Sequence, residues 1–336
     1  MHDIRPPRLA HPLPIGEQNW PEGTRPLVSI LCPSYNHERF IAACLEGFLL
    51  QETTFPVEII VQDDASTDGT ADIVRTYSRR HPQLFRPVFH ETNQYSRGRK
   101  PTLLAFRHSH GDYIATCEGD DFWCLPAKLE HQIAIFDSNP ECILCGGRVY
   151  VQRDGQDHPH KIEPSLAPET LPTVGPLEML RGQWWMRTLS RVARRSVWEG
   201  YVRCVGDDPA ACDFLFSLYC ISRSGMRQQA FACLNEIVGT YREHPGGVWH
   251  GAGEDAKLGS DLAVLLFALG HFDFGDGREF LESSFLSLAC RLVLTPDMNP
   301  SAYALYRQLQ VKSRSRSIPG RLRNLLHRLG LPSGLS

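Results

Sequence analysis

The feature that most constrains the fold of this sequence is an alternation of short apolar runs with amphipathic stretches. Four runs of strand length lie at 27–32, 57–62, 85–89 and 113–117. Between the first two, Phe40, Cys44 and Phe48 recur four residues apart, which is the spacing of an amphipathic helix. Asn36 precedes this helix and is a favoured N-cap residue. Because strands that alternate with helices pair in parallel, the sequence predicts an α/β fold with a mostly parallel sheet flanked by helices.

Two of the predicted strands end in acidic turns. The second is followed by Asp63-Asp64-Ala65-Ser66-Thr67-Asp68-Gly69, and the fourth by Glu118-Gly119-Asp120-Asp121-Phe122-Trp123. Carboxylates this close together repel one another unless a cation lies among them, and a glycine lets the backbone approach a ligand closely. Open parallel sheets bind ligands at the carboxyl ends of their strands. The turn at 118–121 therefore predicts a Mn²⁺ or Mg²⁺ site shared with a phosphate-bearing substrate, and an ordinary acidic surface turn is the alternative.

Composition narrows the class of protein. The chain has 336 residues, of which 42% are hydrophobic and 22% charged, as in an ordinary globular protein. Its formal net charge of -3 gives no reason to expect a nucleic acid partner. The N-terminus has no apolar signal-peptide core, and the longest apolar run, 262–269, is far shorter than the ~20 residues that span a bilayer. We therefore expect a cytoplasmic protein.

The cysteines agree with a reducing compartment. There are 11, and several of them, such as Cys32 and Cys117, lie inside apolar runs where cysteine acts as a small hydrophobic residue. Cys142 and Cys145 have the spacing of half a zinc site, but no second ligand pair is evident. We interpret them as part of a strand.

The two ends of the chain have patterns of their own. Residues 1–25 are rich in proline and predict an arm on the surface, whereas residues 251–310 predict a mostly helical extension. Residues 311–336 combine arginines with an apolar stripe of leucines, which indicates a basic amphipathic tail. Such a tail either contacts an anionic membrane peripherally or remains a solvated helix.

Several motifs in the correct order resemble the family 2 glycosyltransferases, enzymes that use nucleotide-sugar donors and have the Rossmann-like GT-A fold. Val28-Ser29-Ile30-Leu31-Cys32-Pro33-Ser34-Tyr35-Asn36 resembles the family's opening strand and nucleotide-contacting turn. The stretch from Ile60 to Thr70 is similar to the family's DDxSTDGT segment. Glu118-Gly119-Asp120 stands where the family has its DXD motif, with Glu in place of the first Asp.

The resemblance covers residues 26–250. It implies a glycosyltransferase domain over this range, with a nucleotide-binding half at 26–121 and an acceptor half at 122–250. Residues 251–336 fall outside it and would form the helical extension and the tail.

The resemblance also implies roles for individual residues. Those implied for nucleotide-sugar binding are Pro33, Tyr35, Asn36, Asp64, Lys100, Glu118, Gly119 and Asp120. Those expected on the acceptor side are Asp121, Trp123, Arg242 and Trp249. Asp120 and His244 would hold the metal, and Lys100 or Arg242 would help to neutralise the phosphates. Asp63 is expected to shape its turn rather than to bind.

Asp213 lies in a segment that resembles the one with the family's general base. Its structural alternative is the N-cap of the helix that it begins, and the alternative for His244 is an exposed loop residue. The implied reaction is inverting transfer of a sugar, UDP-linked by analogy with the family, to a glycan or lipid-linked acceptor in surface polysaccharide or lipopolysaccharide assembly.

Two other functions remain as alternatives to this reaction. A sugar-nucleotide nucleotidyltransferase opens with a glycine-rich basic loop, and the segment from Pro33 to Glu38 contains no glycine. A catalytically silent nucleotide-sugar-binding protein would have no need of a base such as Asp213.

Overall fold

The structure is a computed structural model that describes residues 6–165, 173–180, 186–208, 210–247 and 253–284. In this part of the chain, none of the helices combines the length and the apolar composition needed to cross a membrane. Trp249 and the predicted tail at 311–336 lie outside the described residues.

The elements alternate along the chain much as the sequence predicts. The strands are β1 (Leu13–Pro14), β2 (Val28–Ser34), β3 (Glu52–Thr53), β4 (Val57–Asp63), β5 (Phe85–Phe89), β6 (Tyr113–Thr116), β7 (Phe122–Trp123), β8 (Leu144–Arg153), β9 (Lys161–Glu163), β10 (Thr173–Val174), β11 (Val192–Arg194) and β12 (Phe231–Glu243). The α-helices are α1 (Ile41–Leu49), α2 (Thr70–Arg80), α3 (Pro101–Phe106), α4 (Lys128–Ser138), α5 (Pro176–Leu180), α6 (Arg195–Val205), α7 (Asp213–Arg223) and α8 (Glu254–His271).

The central sheet has the strand order β10-β12-β8-β11-β6-β2-β4-β5. β2 pairs in parallel with β4 and with β6, β4 pairs in parallel with β5, and β12 pairs in parallel with β8. β11 is antiparallel to both β6 and β8, so β8 runs in the same direction as β6. The predicted α/β fold with its parallel strands is confirmed. The carboxyl ends of β2, β4, β6, β8 and β12 consequently meet at one edge.

The central strands are apolar because both of their faces are covered. Every residue of Val57–Asp63 is buried, and Val28–Ser34 is buried at all positions except Pro33. Helix α1 adds Ile41 and Phe48 to the same core, both of them 0% exposed. Continuous apolar runs of this kind are typical of parallel strands buried on both faces.

The first helix does not begin after Asn36 as predicted. α1 begins at Ile41, and Phe40 occupies the N-cap position. Asn36 instead has a φ of 55°, in the left-handed region that asparagine tolerates better than most residues. Its side-chain Oδ1 accepts a hydrogen bond from Thr67 N at 2.8 Å. The N-cap prediction is therefore wrong: Asn36 joins the turns that follow β2 and β4.

The chain divides into two compact units. The first covers residues 1–209 and 226–243 and contains the whole of the central sheet. The second covers residues 210–225 and 244–336, and its described part contains α7 and α8. The contacts thus group residues 210–225 with the C-terminal part, whereas the sequence predicts them within the domain over 26–250.

Candidate active site

The acidic turn Glu118–Asp121 follows β6 and packs against the chain that leaves β2. Gly119 N donates a hydrogen bond to Pro33 O at 3.0 Å. A Cβ atom on Gly119 would lie 2.8 Å from Ile41 Cδ1 and 2.9 Å from His37 Nδ1. These distances are shorter than carbon and nitrogen atoms tolerate without moving. The glycine is therefore required by packing inside the protein, whether or not a ligand also approaches it.

The carboxylates of this turn differ in exposure. Asp121 is 2% exposed, and its Oδ1 accepts a hydrogen bond from Arg242 N at 2.8 Å. Burial raises the pKa of Asp121 well above its ordinary value, and the negative charges of Asp120 and Glu118 raise it further. The Asp120 side chain is 19% exposed, with Oδ2 3.7 Å from His37 Nε2. The turn thus crowds three carboxyl groups and leaves Asp120 and Glu118 partly accessible.

Arg242 supplies positive charge beside the turn. Its guanidinium carbon lies 4.4 Å from the ring centroid of Phe122 and 5.3 Å from that of Phe40. Its Nη1 donates to Asp120 O at 2.8 Å. Burial lowers the pKa of Arg242, while Asp121 raises it, and an arginine remains charged at neutral pH. This half-buried cation holds the end of β12 against the acidic turn.

Asp64 fixes a neighbouring loop to the end of β4. Its side chain is 1% exposed and accepts hydrogen bonds from Gln94 N at 2.7 Å and Tyr95 N at 2.9 Å. Its own backbone N donates to Ser34 O at 2.9 Å, which ties β4 to β2. Each carboxylate oxygen retains a second lone pair. The contact with a nucleotide base that the resemblance implies for Asp64 stays a prediction.

The other carboxylates of this turn are also occupied by the protein. Asp63 accepts bonds from Ser66 N at 3.1 Å and Ser66 Oγ at 2.5 Å, so it shapes the turn as expected. Asp68 accepts from Thr70 Oγ1 at 2.6 Å, Thr70 N at 3.0 Å and Glu38 N at 3.0 Å. Burial raises the pKa of Asp68, but the bonds from Thr70 and Glu38 outweigh it and lower the pKa overall.

Two exposed tyrosine rings adjoin the hydrogen bonds of Asp64. Tyr95 N donates to its carboxylate, and Tyr35 follows Ser34, whose carbonyl accepts from Asp64 N. Tyr35, which follows the strand that Asp64 N contacts, is 43% exposed, and Tyr95 is 47% exposed. Lys100 Nζ lies 5.4 Å from the ring centroid of Tyr95. The structure therefore brings Lys100 and Asp64 to the same loop. Tyr95 could not be found from the sequence, because nothing in the sequence connects residues 94–97 with Asp64.

The structure buries both Asp121 and Trp123, two of the residues expected on the acceptor side. Trp123 is 1% exposed, its Nε1 donates to Leu189 O at 2.6 Å, and its ring packs edge-on against Phe48 at 4.8 Å. Lys128 Nζ lies over the face of the Trp123 ring, 3.9 Å from its centroid. The reason is the pairing of β7 with β12, which directs Trp123 into the core.

Asp213 and His244 belong to the second unit. Asp213 is exposed at the first position of α7, and the N-cap is Cys212, whose Sγ accepts a bond from Leu215 N at 3.4 Å. Asp213 is therefore not the N-cap of this helix. Burial and the charge of Asp213 raise the pKa of Asp261 on α8 to about 6. His244 is 8% exposed, so the alternative of an exposed loop histidine is also wrong.

A metal would have to share its ligands with a substrate. Across the described ranges no three or more His, Cys, Asp or Glu side chains are grouped as a metal site. Mg²⁺ and similar ions are commonly held through one or two carboxylates together with substrate phosphates. The partly exposed carboxylate of Asp120, in a turn with excess negative charge, fits a shared site of this kind.

Comparisons by sequence identify relatives. The family model described as Glycosyl transferase family 2 matches residues 29–197. An uncharacterized protein of Mycobacterium tuberculosis is 36% identical over 248 residues, which are 72% of this chain and 67% of the relative. The Escherichia coli UDP-Glc:alpha-D-GlcNAc-diphosphoundecaprenol beta-1,3-glucosyltransferase WfgD is 35% identical over 121 residues, which are 36% of this chain and 45% of WfgD.

Comparisons by structure identify the fold. TarS 1-349 of S. aureus, in complex with UDP-GlcNAc, has a TM-score of 0.60 and 18% identity over 89% of this chain and 83% of TarS. The mannosyltransferase PcManGT of Pyrobaculum calidifontis, in complex with GDP-Man and Mn²⁺, has a TM-score of 0.52 and 17% identity over 95% of this chain and 85% of PcManGT. The α/β architecture described above is therefore similar to that of GT-A glycosyltransferases.

Proposed function

The chain belongs to glycosyl transferase family 2 and is a glycosyltransferase, and from this premise we propose that it transfers a sugar from a UDP-sugar to an acceptor hydroxyl with inversion at the anomeric carbon. The observation that carries the proposal is the crowded turn Glu118–Asp121 at the carboxyl end of β6, beside Arg242. The UDP-GlcNAc bound to TarS and the GDP-Man bound to PcManGT support a nucleotide-sugar donor.

A divalent cation, Mn²⁺ or Mg²⁺, fits the donor set of this turn, and we assign Asp120 as its main protein ligand. When bound, the ion would neutralise negative charge on the departing diphosphate. The Mn²⁺ bound to PcManGT supports this assignment. Arg242 and Lys100 contribute fixed positive charge toward the phosphates, where preorganised charges act most strongly. The role of His244 at the metal or the diphosphate rests on the family resemblance.

The donor nucleotide is proposed to lie along the carboxyl ends of β2 and β4. The residues assigned to it are Pro33, Tyr35, Asn36, Asp64, Glu118 and Gly119. The exposed ring of Tyr35 and the two strand-end turns joined by Asn36 support this assignment. Asp64 would accept a hydrogen bond from the nucleotide through the lone pairs that its bonds to Gln94 N and Tyr95 N do not use.

The acceptor hydroxyl needs a general base, and Asp213 is assigned this role. Its carboxylate takes the hydroxyl proton while the oxygen attacks the anomeric carbon from the face opposite the diphosphate, which inverts the configuration. Asp213→Asn should leave UDP affinity within about twofold of the wild type and remove transfer, since an amide cannot take the proton. Asp207→Asn, which changes another exposed aspartate, is the control. Appreciable transfer by the Asp213 variant would exclude this base.

The reaction itself is tested by incubating the purified protein with a panel of UDP-sugars, Mn²⁺ and glycan or lipid-linked acceptors. We expect release of UDP with one sugar and a product whose anomeric configuration, read by proton NMR, is opposite to that of the donor. Retention would refute the single-displacement mechanism, and no release from any donor would refute the transfer. The diphosphoundecaprenol-linked acceptor in WfgD's name supports a lipid-linked acceptor, and with it we propose a cytoplasmic role in surface polysaccharide assembly.

A further inference from the structure

A large cavity lies along the edge strand β9, and none of its described lining residues is assigned to the donor. Its volume is about 1120 Å³, and its walls include Arg148, His160, Lys161 and Arg187. Glu163 supplies the one carboxylate among its described lining residues. We propose that this cavity binds a phosphate or diphosphate group of the acceptor, an inference that rests on the proposed transfer reaction.

The cavity has an excess of positive charge. Glu163 lies 2.6 Å from both Arg187 Nε and Lys161 Nζ. Burial raises the pKa of Glu163, but Arg187 and Lys161 lower it overall, so the carboxylate stays ionised. One carboxylate balances only one of the three permanent cations that line the cavity. Among the described lining residues the permanent cations therefore outnumber the carboxylate, while His160 lies 3.7 Å from Glu243.

Arg148 contributes a cation that is held by neutral groups. Its Nε donates to Pro164 O at 3.3 Å and its Nη1 to Asn235 Oδ1 at 3.2 Å. No carboxylate in the described part of the chain lies within ion-pair distance of it. A guanidinium oriented in this way presents remaining N–H donors in the planar geometry that suits phosphate oxygens.

The cavity adjoins the catalytic edge of the sheet. β9 pairs with β8, whose carboxyl end lies at the same edge as that of β6. The Arg187 guanidinium lies 4.3 Å from the ring centroid of Tyr241, the residue before Arg242. The next residue, Thr188, accepts a hydrogen bond through its carbonyl from Thr116 Oγ1 at 2.8 Å, where β6 ends. Two contacts therefore connect Arg187 and its neighbour in the cavity wall with the strands β12 and β6, which lead to Arg242 and to the acidic turn.

Size and charge together favour a phosphorylated sugar over a simple anion. A volume of about 1120 Å³ is at the upper end of ligand pockets and holds sugar units as well as the charged group. Two guanidinium groups and an ammonium group match a dianion better than a monoanion, because each charge adds to the attraction. A phosphate monoester or a diphosphate should therefore bind more tightly than a sugar carboxylate.

The test measures binding by isothermal titration calorimetry in EDTA, so that the metal needed at the donor site is absent. The probes are glucose 1-phosphate, glucuronic acid and glucose. We expect glucose 1-phosphate to bind at least tenfold more tightly than glucuronic acid, and glucose to give no signal. Farnesyl diphosphate as a fourth probe distinguishes the source: tighter binding than glucose 1-phosphate assigns a lipid-linked acceptor, and weaker binding assigns a soluble sugar phosphate.

Variants with opposite expected effects separate charge recognition from damage to the fold. Arg148→Ala with Lys161→Ala should weaken glucose 1-phosphate binding at least tenfold, whereas Glu163→Gln should strengthen it. The matched control, Arg80→Ala with Arg203→Ala, removes two exposed cations elsewhere in the first unit and should leave binding unchanged.

Three results would overturn the inference. The first is that the wild type does not bind glucose 1-phosphate. The second is that the cavity and control variants lose equal affinity for it, and the third is that UDP displaces it in EDTA. UDP affinity with Mn²⁺ is measured for every variant in parallel. If the wild type does not bind UDP in the presence of Mn²⁺, the proposed donor site fails but the phosphate site does not. A failure of the proposed function can therefore be told apart from a failure of this inference.

Discussion

The turns after β4 and β6 both carry three carboxylates, but the protein holds them in opposite ways. In the turn after β4, Asp63, Asp64 and Asp68 accept hydrogen bonds from backbone N–H groups and hydroxyls, and the pKa of Asp68 is lowered. In the turn after β6, burial and the neighbouring carboxylates raise the pKa of Asp121. The carboxylates of the first turn thus have neutral donors close by, whereas those of the second turn raise the pKa of a neighbouring carboxyl group.

The difference teaches that the donors near the carboxylates, rather than the number of carboxylates, decide whether the protein itself holds them or they repel one another. Ser66 and Thr70 give the turn after β4 its own hydroxyl donors. Glu118-Gly119-Asp120-Asp121-Phe122-Trp123 contains no hydroxyl residue. A divalent cation would relieve the repulsion among the carboxylates of this second turn.

Removal of divalent metal gives the largest expected difference between the two turns. EDTA should lower the transfer rate by about 10³-fold, because several kcal/mol of charge stabilisation is lost from the departing diphosphate. The unfolding midpoint in urea, measured without donor, should change little, because a cation that shares its ligands with the donor phosphates binds the protein alone only weakly. Mn²⁺ should restore the rate. Full activity in EDTA would show that the turn after β6 works without a cation.

Asp64→Ala tests how firmly the turn after β4 is held. Two hydrogen bonds between a buried carboxylate and backbone N–H groups are lost, so the free energy of unfolding should fall by about 3 kcal/mol. Urea denaturation measures this change. Asp72→Ala, at an exposed site with one ion pair to Arg75, is the control and should cost less than about 1 kcal/mol. An equally small effect of Asp64→Ala would remove the contrast between the turns.

Gly119→Ala tests the packing of the turn after β6. The added methyl group would meet Ile41 and His37 at less than 3.0 Å, so we expect a loss of about 1–3 kcal/mol in the free energy of unfolding. Gly270→Ala, where a Cβ meets nothing within 4 Å, should be neutral or stabilising. Equal unfolding midpoints for the two variants would contradict the close packing at position 119.

The smallest effect concerns pH. The pKa of Asp68 is lower in the folded protein, so the ionised group stabilises the fold above its unfolded pKa, and this contribution disappears as the pH falls through the lowered folded pKa. Asp68→Asn should therefore be less stable than the wild type at pH 6, and the difference should shrink below pH 4. Urea midpoints at pH 6 and pH 3 measure this. A difference independent of pH would contradict the lowered pKa.

The sequence predicted those parts of the fold that depend on local pattern. The buried runs of β2, β4 and β6 are visible because parallel strands covered on both faces are continuously apolar. The acidic turns follow directly from these strands, so their common edge could also be predicted. β11 was not predicted, because its three residues give no periodic signal before they pair between β6 and β8.

Long-range contacts explain what the sequence did not predict. The burial of Trp123 depends on the pairing of β7 with β12, more than a hundred residues later. His37 lies 3.7 Å from Asp120 only because the turns after β2 and β6 pack together. The permanent cations that line the cavity along β9 are Arg148, Lys161 and Arg187, which are far apart in the sequence. Tertiary packing, not local pattern, creates these three arrangements.

The central claim is that Asp120 holds the donor diphosphate through a divalent cation, and UDP titration tests it most directly. Calorimetric affinity for UDP is measured with Mn²⁺ and with EDTA, for the wild type, Asp120→Asn and Asp63→Asn. The account predicts that Mn²⁺ strengthens UDP binding at least tenfold in the wild type and in Asp63→Asn, and that Asp120→Asn loses this gain. Unchanged Mn²⁺-dependent affinity in Asp120→Asn would contradict the claim.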